Sequence, residues 1–401
     1  MNILFLNLLA FSSFEEKNIY ADILREMIYK GHNVFAVCPT ERRNNEKTYI
    51  QHFGNSSILH VKTLNIQKTN IVEKGLGTLL IKNQFIRAIK KHYKNIPFDL
   101  ILYPTPPITL YGVVNYFKNK YNAKTYLMLK DIFPQNAVDL GMMKKTGIKG
   151  IIYRFFRKKE KKLYLVSDAI GCMSQANVDY VVEHNPELAN KRIEVFPNCM
   201  EVKTIVPLSK EEKESTRLKY GIPYDKKVFV YGGNLGKPQD IPYVIECLKA
   251  VKDNANAFFV IAGNGTDYSK LLDFYKKNNQ TNFLLLERLP SGEFDSLISA
   301  CDVGLVFLDH RFTIPNFPSR LLSYMQASLP VLACTDTSSD IGKTIVEGGF
   351  GWWCESNDTC AFKQVIDGIC NEDLSQKRIN SFEYLKKNFN IDNVSKILGD
   401  D

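Results

Sequence analysis

The sequence lacks the features that mark membrane-spanning, disulfide-bonded and zinc-binding proteins. No apolar run approaches the roughly 20 residues that a helix needs to cross a bilayer. The nine cysteines are scattered, odd in number and free of any CxxC pair, so they indicate small buried side chains in a reducing compartment. The apolar N-terminal stretch has no basic leader, which favours a first strand over a signal peptide. We therefore expect a cytoplasmic protein.

The composition is that of a soluble globular protein with enough residues for two domains. Of its 401 residues, 45% are hydrophobic and 24% are charged. The formal net charge of +9 indicates an anionic partner, which leaves nucleic acid, an anionic membrane and phosphorylated small molecules open.

Apolar strands alternate with amphipathic helices along the whole chain, which predicts the α/β class with doubly wound parallel sheets. The polar passage 201–215 interrupts this alternation and separates two Rossmann-like domains that we expect to face a cleft. We predict an N-terminal domain over 1–198, a linker over 199–215, a C-terminal domain over 216–380 and a helical tail over 381–401 that packs back on the N-terminal domain. Strands are predicted over 2–8, 33–38, 57–61, 98–103, 125–129, 169–173, 193–196, 227–231, 257–262, 282–286, 303–308 and 331–334.

The loop after the first strand of the C-terminal domain combines glycines with a cation. In such sheets ligands bind beyond the carboxyl ends of the strands. In the segment 231–237, YGGNLGK, the glycines let the backbone approach a ligand and Lys237 suits a phosphate. Because the segment contains neither GK[ST] nor GxGxxG, it is not a Walker loop, and the dinucleotide interpretation is weak. An ordinary strand–helix turn with an exposed lysine is the alternative.

A second loop, 316–320 (NFPSR), leads into a short helix. Ser319 is a natural N-cap, and the free N–H groups of the helix start, with Arg320 in the first turn, match a diphosphate. A plain capped helix with a solvent-facing arginine is the alternative. Gly263 and Arg288 end two more strands at the same edge. There Gly263 would admit a ligand to the backbone, and Arg288 would line the diphosphate.

In the N-terminal domain, Asp131 follows a strand directly and is expected to project into the cleft. A carboxylate at this place would orient an acceptor hydroxyl or take up its proton. The alternative is that Asp131 only caps the following turn.

The segment Lys144–Lys162 is the densest basic stretch of the chain. It predicts a helix with Ile148, Ile151, Ile152, Phe155 and Phe156 on one face and cations around the other. Such a helix can lie on anionic lipid headgroups or pack in the core with a solvated basic face, and the sequence does not choose between the two.

Several segments resemble family 4 glycosyltransferases. GGNLGKPQD, IAGNG and PSRLLSYMQASLPVLA are similar to the C-terminal half of the bacterial branch that builds capsules, O-antigens and colanic-acid-type exopolysaccharides. KGHNVFAVCP and KDIFPQNAVDLG resemble its N-terminal half. The resemblance implies a GT-B fold, a nucleotide-sugar donor, retention of anomeric configuration, no metal or other cofactor, and acceptors often carried on polyprenyl diphosphate.

With the loops above, the resemblance predicts a set of site residues. Catalytic roles are predicted for Asp131, Lys237 and Arg320. Donor binding is predicted for Gly233, Asn234, Gly263, Arg288, Asn316, Pro318, Ser319 and Ser323. We expect a UDP-sugar, with GDP as the second choice, and an acceptor that is a glycan or a lipid-linked sugar.

The chain departs from the family pattern at several positions. Many members carry two glutamates, eight residues apart, where this chain has Pro315 and Ser323, and the usual arginine and lysine after the glycine pair correspond to Asn234 and Gln239. These departures leave Lys237 and Arg320 as the phosphate cations. They also keep open a degenerate homologue that binds sugar nucleotides without catalysis.

Two other functions compete with glycosyl transfer. A nucleotide-sugar epimerase of the same architecture would need more acid–base carboxylates than the candidate loops supply. A nucleic-acid-binding protein would place its basic run on a small module with interleaved aromatic residues, whereas here the run lies inside an α/β domain. We therefore expect no nucleic-acid partner.

Overall fold

The computed structural model of the protein describes residues 1–67, 69–204, 208–278 and 281–399. Their contacts divide the chain into two compact units. Unit 1 comprises Met1–Met200 and Ile391–Asp401, and unit 2 comprises Glu201–Asn390.

Eight described strands form the sheet of unit 1: β1 (Asn2–Leu6), β2 (Asn33–Glu41), β3 (Tyr49–Phe53), β4 (Ser56–Thr63), β5 (Leu100–Pro104), β6 (Lys124–Leu129), β7 (Ala169–Cys172) and β8 (Arg192–Val195). Their order across the sheet is β3-β4-β2-β1-β5-β6-β7-β8. Every neighbouring pair is parallel except β3 and β4, which are antiparallel.

The helices of unit 1 precede or follow these strands: α1 (Ile19–Tyr29), α2 (Ile71–His92), α3 (Tyr111–Tyr121), α4 (Gln135–Asp139), α5 (Gly147–Val166) and α6 (Gln175–His184). Short 3-10 helices occur at Arg42–Asn44, Ile108–Leu110 and Pro186–Leu188. The helix α1 begins where the Asn18 side chain accepts hydrogen bonds from the N–H groups of Tyr20 and Ala21. Its Ile23, Leu24 and Met27 are buried in one cluster with β1, which explains the 3.6-residue spacing of these apolar positions.

Unit 2 contains a sheet of six described strands: β9 (Lys227–Asn234), β10 (Ala257–Asn264), β11 (Phe283–Leu286), β12 (Val303–Phe307), β13 (Val331–Thr335) and β14 (Gly351–Glu355). The order is β11-β10-β9-β12-β13-β14, and all neighbouring pairs are parallel. The strand β12 is buried along its whole length, as expected for a central strand of a parallel sheet that is covered on both faces.

The helices of unit 2 are α7 (Lys210–Lys219), α8 (Ile241–Ala250), α9 (Tyr268–Lys277), α10 (Ser291–Ser299), α11 (Arg320–Gln326), α12 (Ile341–Glu347), α13 (Thr359–Cys370) and α14 (Ser375–Asn388). A 3-10 helix spans Lys237–Gln239. After unit 2 the chain continues in a 3-10 helix, Ile391–Asn393, and in α15 (Val394–Leu398), whose buried Val394 and Ile397 join the core of unit 1.

The prediction of two parallel-sheet α/β domains is confirmed, and each predicted strand overlaps an observed one. The prediction missed β3 and β14. The strand β3 is a hairpin edge whose side chains are half-buried or exposed, so it lacks an apolar run, and β14 is an edge strand with Trp353 partly exposed. Such edges carry a weaker apolar signal than central strands do.

The predicted linker over 199–215 contains the start of a helix. Ser209 and Glu212 form a capping box in which each side chain accepts a hydrogen bond from the other residue's N–H, and α7 begins there. Residues 205–207 of the predicted linker lie outside the described part of the chain. The predicted tail is divided in turn, since α14 belongs to unit 2 whereas residues from Ile391 onward are grouped with unit 1.

None of the helices in the described ranges combines the length and the apolar character needed to cross a membrane.

Candidate functional site

The carboxyl edge of the unit 2 sheet, where its strands end, holds most of the predicted site residues. Because β9 to β12 are parallel to their neighbours, the loops that follow them open at one edge. Gly233 and Asn234 end β9 and Gly263 lies near the end of β10, whereas Arg288 follows β11 and the 316–320 segment follows β12.

Glycine at these positions is required by close packing. A Cβ atom added to Gly263 would overlap the carbonyl oxygen of Gly233, and one added to Gly232 would overlap the ring of Phe294. Gly233 itself has a φ of 156°, which L side chains rarely adopt. The glycines therefore allow β9, β10 and α10 to approach one another, and that approach gives the loop its shape.

Arg320 is the cation that lies nearest to this loop. Its guanidinium carbon stands 4.8 Å from the centroid of the Phe294 ring, and a Cβ at Gly233 would lie 3.9 Å from its Nε. The Nε atom is buried and makes no hydrogen bond within the described part of the chain. A buried guanidinium nitrogen without a partner is costly, so an anion brought by a ligand would satisfy it.

Tyr324 is a residue of this edge that the sequence prediction missed. Its buried hydroxyl accepts a hydrogen bond of 3.0 Å from the N–H of Gly232 and so ties α11 to the glycine loop. The sequence offered one indication of its role, because Tyr324 lies four residues after Arg320 and therefore on the same face of the helix. Only the packing of Tyr324 against Gly304 shows where the ring points.

The predicted N-cap role of Ser319 is wrong. Its backbone is already helical, with φ −62° and ψ −15°, and its side chain makes no cap hydrogen bond. A cap serine needs an extended backbone to bring its hydroxyl to the free N–H groups. Here the turn starts earlier, since Leu321 N–H donates to the Pro318 carbonyl at 3.2 Å. The helix α11 also has only seven residues.

The remaining predicted donor residues divide into exposed cations and loop-forming polar groups. Lys237 and Arg288 are exposed, and neither forms an ion pair with any residue that the structure describes. Asn234 donates to the Gln239 side chain at 2.9 Å, and Asn316 donates to the Ile314 carbonyl at 3.1 Å, so both hold their own loops. Pro318 and Ser323 are half-buried on either side of Arg320.

A group of acidic and imidazole side chains stands near the Lys237 turn. Candidate ligand atoms of Asp240, Asp309 and His310 lie within 4.8 Å of one another. Arg311 already binds the buried Asp309 carboxylate through its main-chain N–H at 3.0 Å and its Nε at 2.9 Å. This ion pair makes Asp309 a structural anchor of the loop.

In unit 1, Asp131 lies in the loop between β6 and α4. The hydroxyl of Thr105 accepts a hydrogen bond from Lys130 N–H at 3.0 Å and donates to the Asp131 carbonyl at 3.1 Å, which fixes the main chain. The Asp131 carboxylate accepts a hydrogen bond of 2.7 Å from Asn136 Nδ2. Asp131 is thus half-buried and held within its loop.

Burial and the nearby Glu160 carboxylate raise the pKa of Asp131 to about 7, although the Ile132 N–H and the Asn136 amide act in the opposite direction. The pKa of the neighbouring Lys130 is shifted in the opposite direction. Burial lowers its pKa to about 8, and its ammonium bonds the carbonyls of Phe196 and Pro197 at 3.3 and 3.4 Å. Both groups therefore titrate near neutral pH.

Comparison with known proteins identifies the C-terminal half. Residues 212–386, almost all of unit 2, match the family described as glycosyl transferases group 1. This chain carries a group 1 glycosyltransferase domain. The recognition of a glycosyltransferase from the glycine and PSRLL loops is confirmed at this level.

Two bacterial relatives of this chain are named as glycosyltransferases, and the name of one of them places it in colanic acid biosynthesis. The probable glycosyltransferase WbjE of Pseudomonas aeruginosa is 28% identical over 77% of this chain and 74% of its own. The putative colanic acid biosynthesis glycosyl transferase WcaI of Escherichia coli is 19% identical over 67% and 64%.

A solved structure shows the same fold. Anabaena HepE in complex with UDP superposes with a TM-score of 0.67 at 14% identity, and the match covers 100% of this chain and 99% of HepE. At this identity the likeness concerns the fold alone, and the predicted GT-B fold is confirmed.

Most of the apolar face that was predicted for the basic helix, α5, is exposed in the structure. Ile151, Ile152 and Phe155 of α5 are 59, 49 and 51% exposed, so they are not core residues. Phe156 instead packs on Phe133 of the Asp131 loop, with ring centroids 5.1 Å apart. The side chain of Ile148, predicted on the same face, lies outside the described part.

Proposed function

We propose that the protein is a retaining glycosyltransferase that moves a sugar from a nucleotide-sugar donor, a UDP-sugar, to a glycan or polyprenyl-diphosphate-linked acceptor in cell-surface polysaccharide biosynthesis. The observation that carries the proposal is the buried Arg320 Nε, which has no hydrogen-bond partner among the described residues and lies beside the Gly233 loop in a group 1 glycosyltransferase domain. The UDP in the HepE structure supports the choice of nucleotide.

The donor diphosphate would lie against the unit 2 edge. Bond breaking at the anomeric carbon leaves growing negative charge on the diphosphate, and cations already in place stabilise that charge without reorganisation. Arg320 would supply the fixed guanidinium, whose orientation Phe294 holds. Lys237 and Arg288, which are exposed, would close on the phosphates from solvent. We propose that this cation set acts without a metal, and full activity in EDTA would support that.

The acceptor side of the reaction would use Asp131. Its carboxylate orients the acceptor hydroxyl, whose oxygen forms the new bond to the anomeric carbon while the bond to the diphosphate breaks. The hydroxyl proton goes to Asp131 or to the departing phosphate oxygen on the same sugar face, and in both cases an ionised Asp131 accepts the hydrogen bond of the hydroxyl more strongly than a protonated one does. Activity should therefore fall as pH drops through about 7.

A thermal-shift panel of UDP, GDP and their sugars tests the donor assignment. We expect UDP and at least one UDP-sugar to raise the melting temperature of the wild type. Arg320→Ala should abolish that response while leaving the ligand-free melting temperature nearly unchanged. Arg87→Ala, which removes an exposed arginine of α2 in unit 1, is the control and should respond like the wild type. An unaltered response in Arg320→Ala would remove Arg320 from the site.

The products separate transfer from the competing activities. Consumption of the UDP-sugar that depends on an added acceptor supports a transferase. Isomerisation without acceptor would identify an epimerase, and nucleotide binding without turnover would identify a degenerate homologue.

We further propose that α5 rests on an anionic membrane surface, which would bring the enzyme to a lipid-linked acceptor. Its apolar face is exposed, and Arg154 and Lys158 are exposed beside it. The only carboxylate of this helix, Glu160, is buried and accepts hydrogen bonds from Arg157 and Tyr164. The exposed surface of α5 is therefore apolar and basic, which suits acidic headgroups.

Sedimentation with phosphatidylcholine vesicles, with and without phosphatidylglycerol, tests the membrane proposal. The wild type should bind only the anionic vesicles, and the Ile151→Ser, Ile152→Ser, Phe155→Ser triple variant should lose binding. Leu218→Ser replaces a leucine of unit 2 that is 80% exposed and should bind like the wild type. Equal binding by the triple variant would refute a membrane role for α5.

A further inference from the structure

We propose that Asn136 is the positioning residue of Asp131, and that it hydrogen-bonds the Asp131 carboxyl in both protonation states by turning its amide over. This inference rests on the role given to Asp131 in the proposed function. It concerns a residue that neither the sequence patterns nor the comparisons single out.

The first observation is an asymmetry in the Asn136 amide. Its Nδ2 donates to Asp131 Oδ2 at 2.7 Å, whereas its Oδ1 is buried and has no hydrogen-bond partner within the described chain. A buried carbonyl oxygen without a partner is unfavourable, and native proteins rarely keep one without a reason. The orphan atom belongs to the same amide that holds the carboxylate.

The second observation is that the main chain around the pair is fixed. The Asn136 N–H donates to the Ile132 carbonyl at 3.0 Å, and the Thr105 hydroxyl holds Lys130 and Asp131. Since an amide has nearly the same shape after a half-turn about its last bond, it can exchange nitrogen for oxygen without moving the backbone. An ionised Asp131 can only accept a hydrogen bond, so it takes the amide donor, whereas a protonated Asp131 has an O–H that the amide oxygen can accept.

The charges that face Asp131 make both states accessible. Glu160 on α5 repels its negative charge, but Arg157 binds Glu160 at 2.6 Å and offsets part of that repulsion. The ammonium of Lys130 is turned toward Phe196 and Pro197. The Ile132 N–H favours the ionised form. Among the residues that the structure describes, no cation therefore holds Asp131 in its ionised form, and an amide that can turn over supports proton uptake and release during turnover.

The test is a carbon-13 NMR titration of the Asp131 carboxyl from pH 4 to 9, with the signal assigned by its absence in Asp131→Asn. Asn136→Leu keeps the shape and removes the hydrogen bond, so it should raise the pKa of Asp131 by about one pH unit, because the bond to the ionised form is the stronger one. Asn136→Ser, whose hydroxyl can donate or accept, should restore most of the wild-type titration.

The matched control is Gln135→Leu, which alters the adjacent amide on α4. Gln135 donates to Asp139 at 2.6 Å, so its loss should lower the melting temperature without moving the Asp131 titration. An unchanged titration in both Asn136 variants would overturn the proposal and leave Asn136 a structural residue. If Asn136→Leu does not fold, Asn136→Ala takes its place as the variant without the hydrogen bond, and Asn136→Ser must then match the wild-type titration more closely than Asn136→Ala does.

The titration needs no substrate, so it separates this inference from the proposed function. A pH–rate profile whose acid limb moves with the titration in Asn136→Leu supports both. A shifted titration with an unmoved acid limb would keep Asn136 as the partner of Asp131 but remove Asp131 from the reaction.

Discussion

The carboxyl edges of the two sheets differ in how their charged side chains are partnered. At the edge of unit 2, none of Arg320, Lys237 and Arg288 pairs with a carboxylate among the described residues, and the guanidinium of Arg320 lies over the Phe294 ring. At the edge of unit 1, Asp131 and Lys130 are held by amides, a hydroxyl and carbonyls of their own unit, and burial moves both pKa values toward neutrality.

The two edges therefore suit different ligands. Permanent cations without partners suit a ligand that brings its own negative charge, as a diphosphate does. Groups that titrate near pH 7 suit a neutral hydroxyl that gives up a proton.

Gly263→Ala should have the largest effect, because the added Cβ would overlap the Gly233 carbonyl oxygen and push the donor loop away from β10. Because the backbone cannot move aside as a flexible side chain can, we expect the free energy of unfolding to fall by about 3 kcal/mol and the melting temperature by about 10 °C. The stabilisation by UDP should also be lost. Gly292→Ala is the control. Its Cβ would meet nothing within 4 Å, and it should be neutral or slightly stabilising. Equal melting temperatures for the two variants would contradict the packing account.

Asp131→Asn should stabilise the protein at pH 8.5 but not at pH 4. The folded-state pKa of Asp131 is about 7, above its ordinary 3.8, so the folded protein binds this proton more tightly than the unfolded chain. The wild type therefore loses stability as pH rises from about 4 to about 7, and the asparagine variant does not. At pH 8.5 we expect the free energy of unfolding of the variant to exceed that of the wild type by about 2 kcal/mol. This is less than the full free energy that corresponds to the shift in pKa. A pH-independent difference between the two melting curves would show that the carboxylate is not desolvated.

Lys237→Ala should weaken UDP binding by about tenfold, less than Arg320→Ala, because an exposed ammonium on a flexible stem is screened by solvent. The effect should shrink as salt is added, and calorimetry at two ionic strengths measures it. Lys249→Ala removes an ammonium of α8 that pairs with Glu246 at 2.8 Å and should leave the affinity unchanged. If the loss of UDP affinity in Lys237→Ala does not depend on salt, the lysine has a structural role.

The sequence predicted those parts of the fold that depend on local apolar pattern. Central strands such as β1 and β12 are buried on both faces and read as continuous apolar runs. The helix α7 was hidden in the predicted linker because its residues are almost all polar, and a capping box and ion pairs hold it instead of a wide apolar stripe.

The candidate site was predicted at the level of loops and cations but not of contacts. Lys237, Arg288 and Arg320 follow from their positions after parallel strands. Tyr324 and Phe294 could not be predicted as partners, because they meet Gly232 only once three elements have packed. The role of Asn136 was hidden in the same way, since its contact with Asp131 depends on the path of the loop.

Ser319→Ala should have the smallest effect of all, and it tests the cap that the sequence suggested. The Ser319 hydroxyl is exposed and makes no cap bond, so the melting temperature should stay within about 1 °C of the wild type. Ser209→Ala is the matched comparison, because that hydroxyl accepts the Glu212 N–H at 3.1 Å, and its loss should cost about 1 kcal/mol. If Ser319→Ala weakens UDP binding while stability is unchanged, its hydroxyl contacts the donor directly. The unit 2 edge would then bind phosphate through a neutral group as well as through its cations.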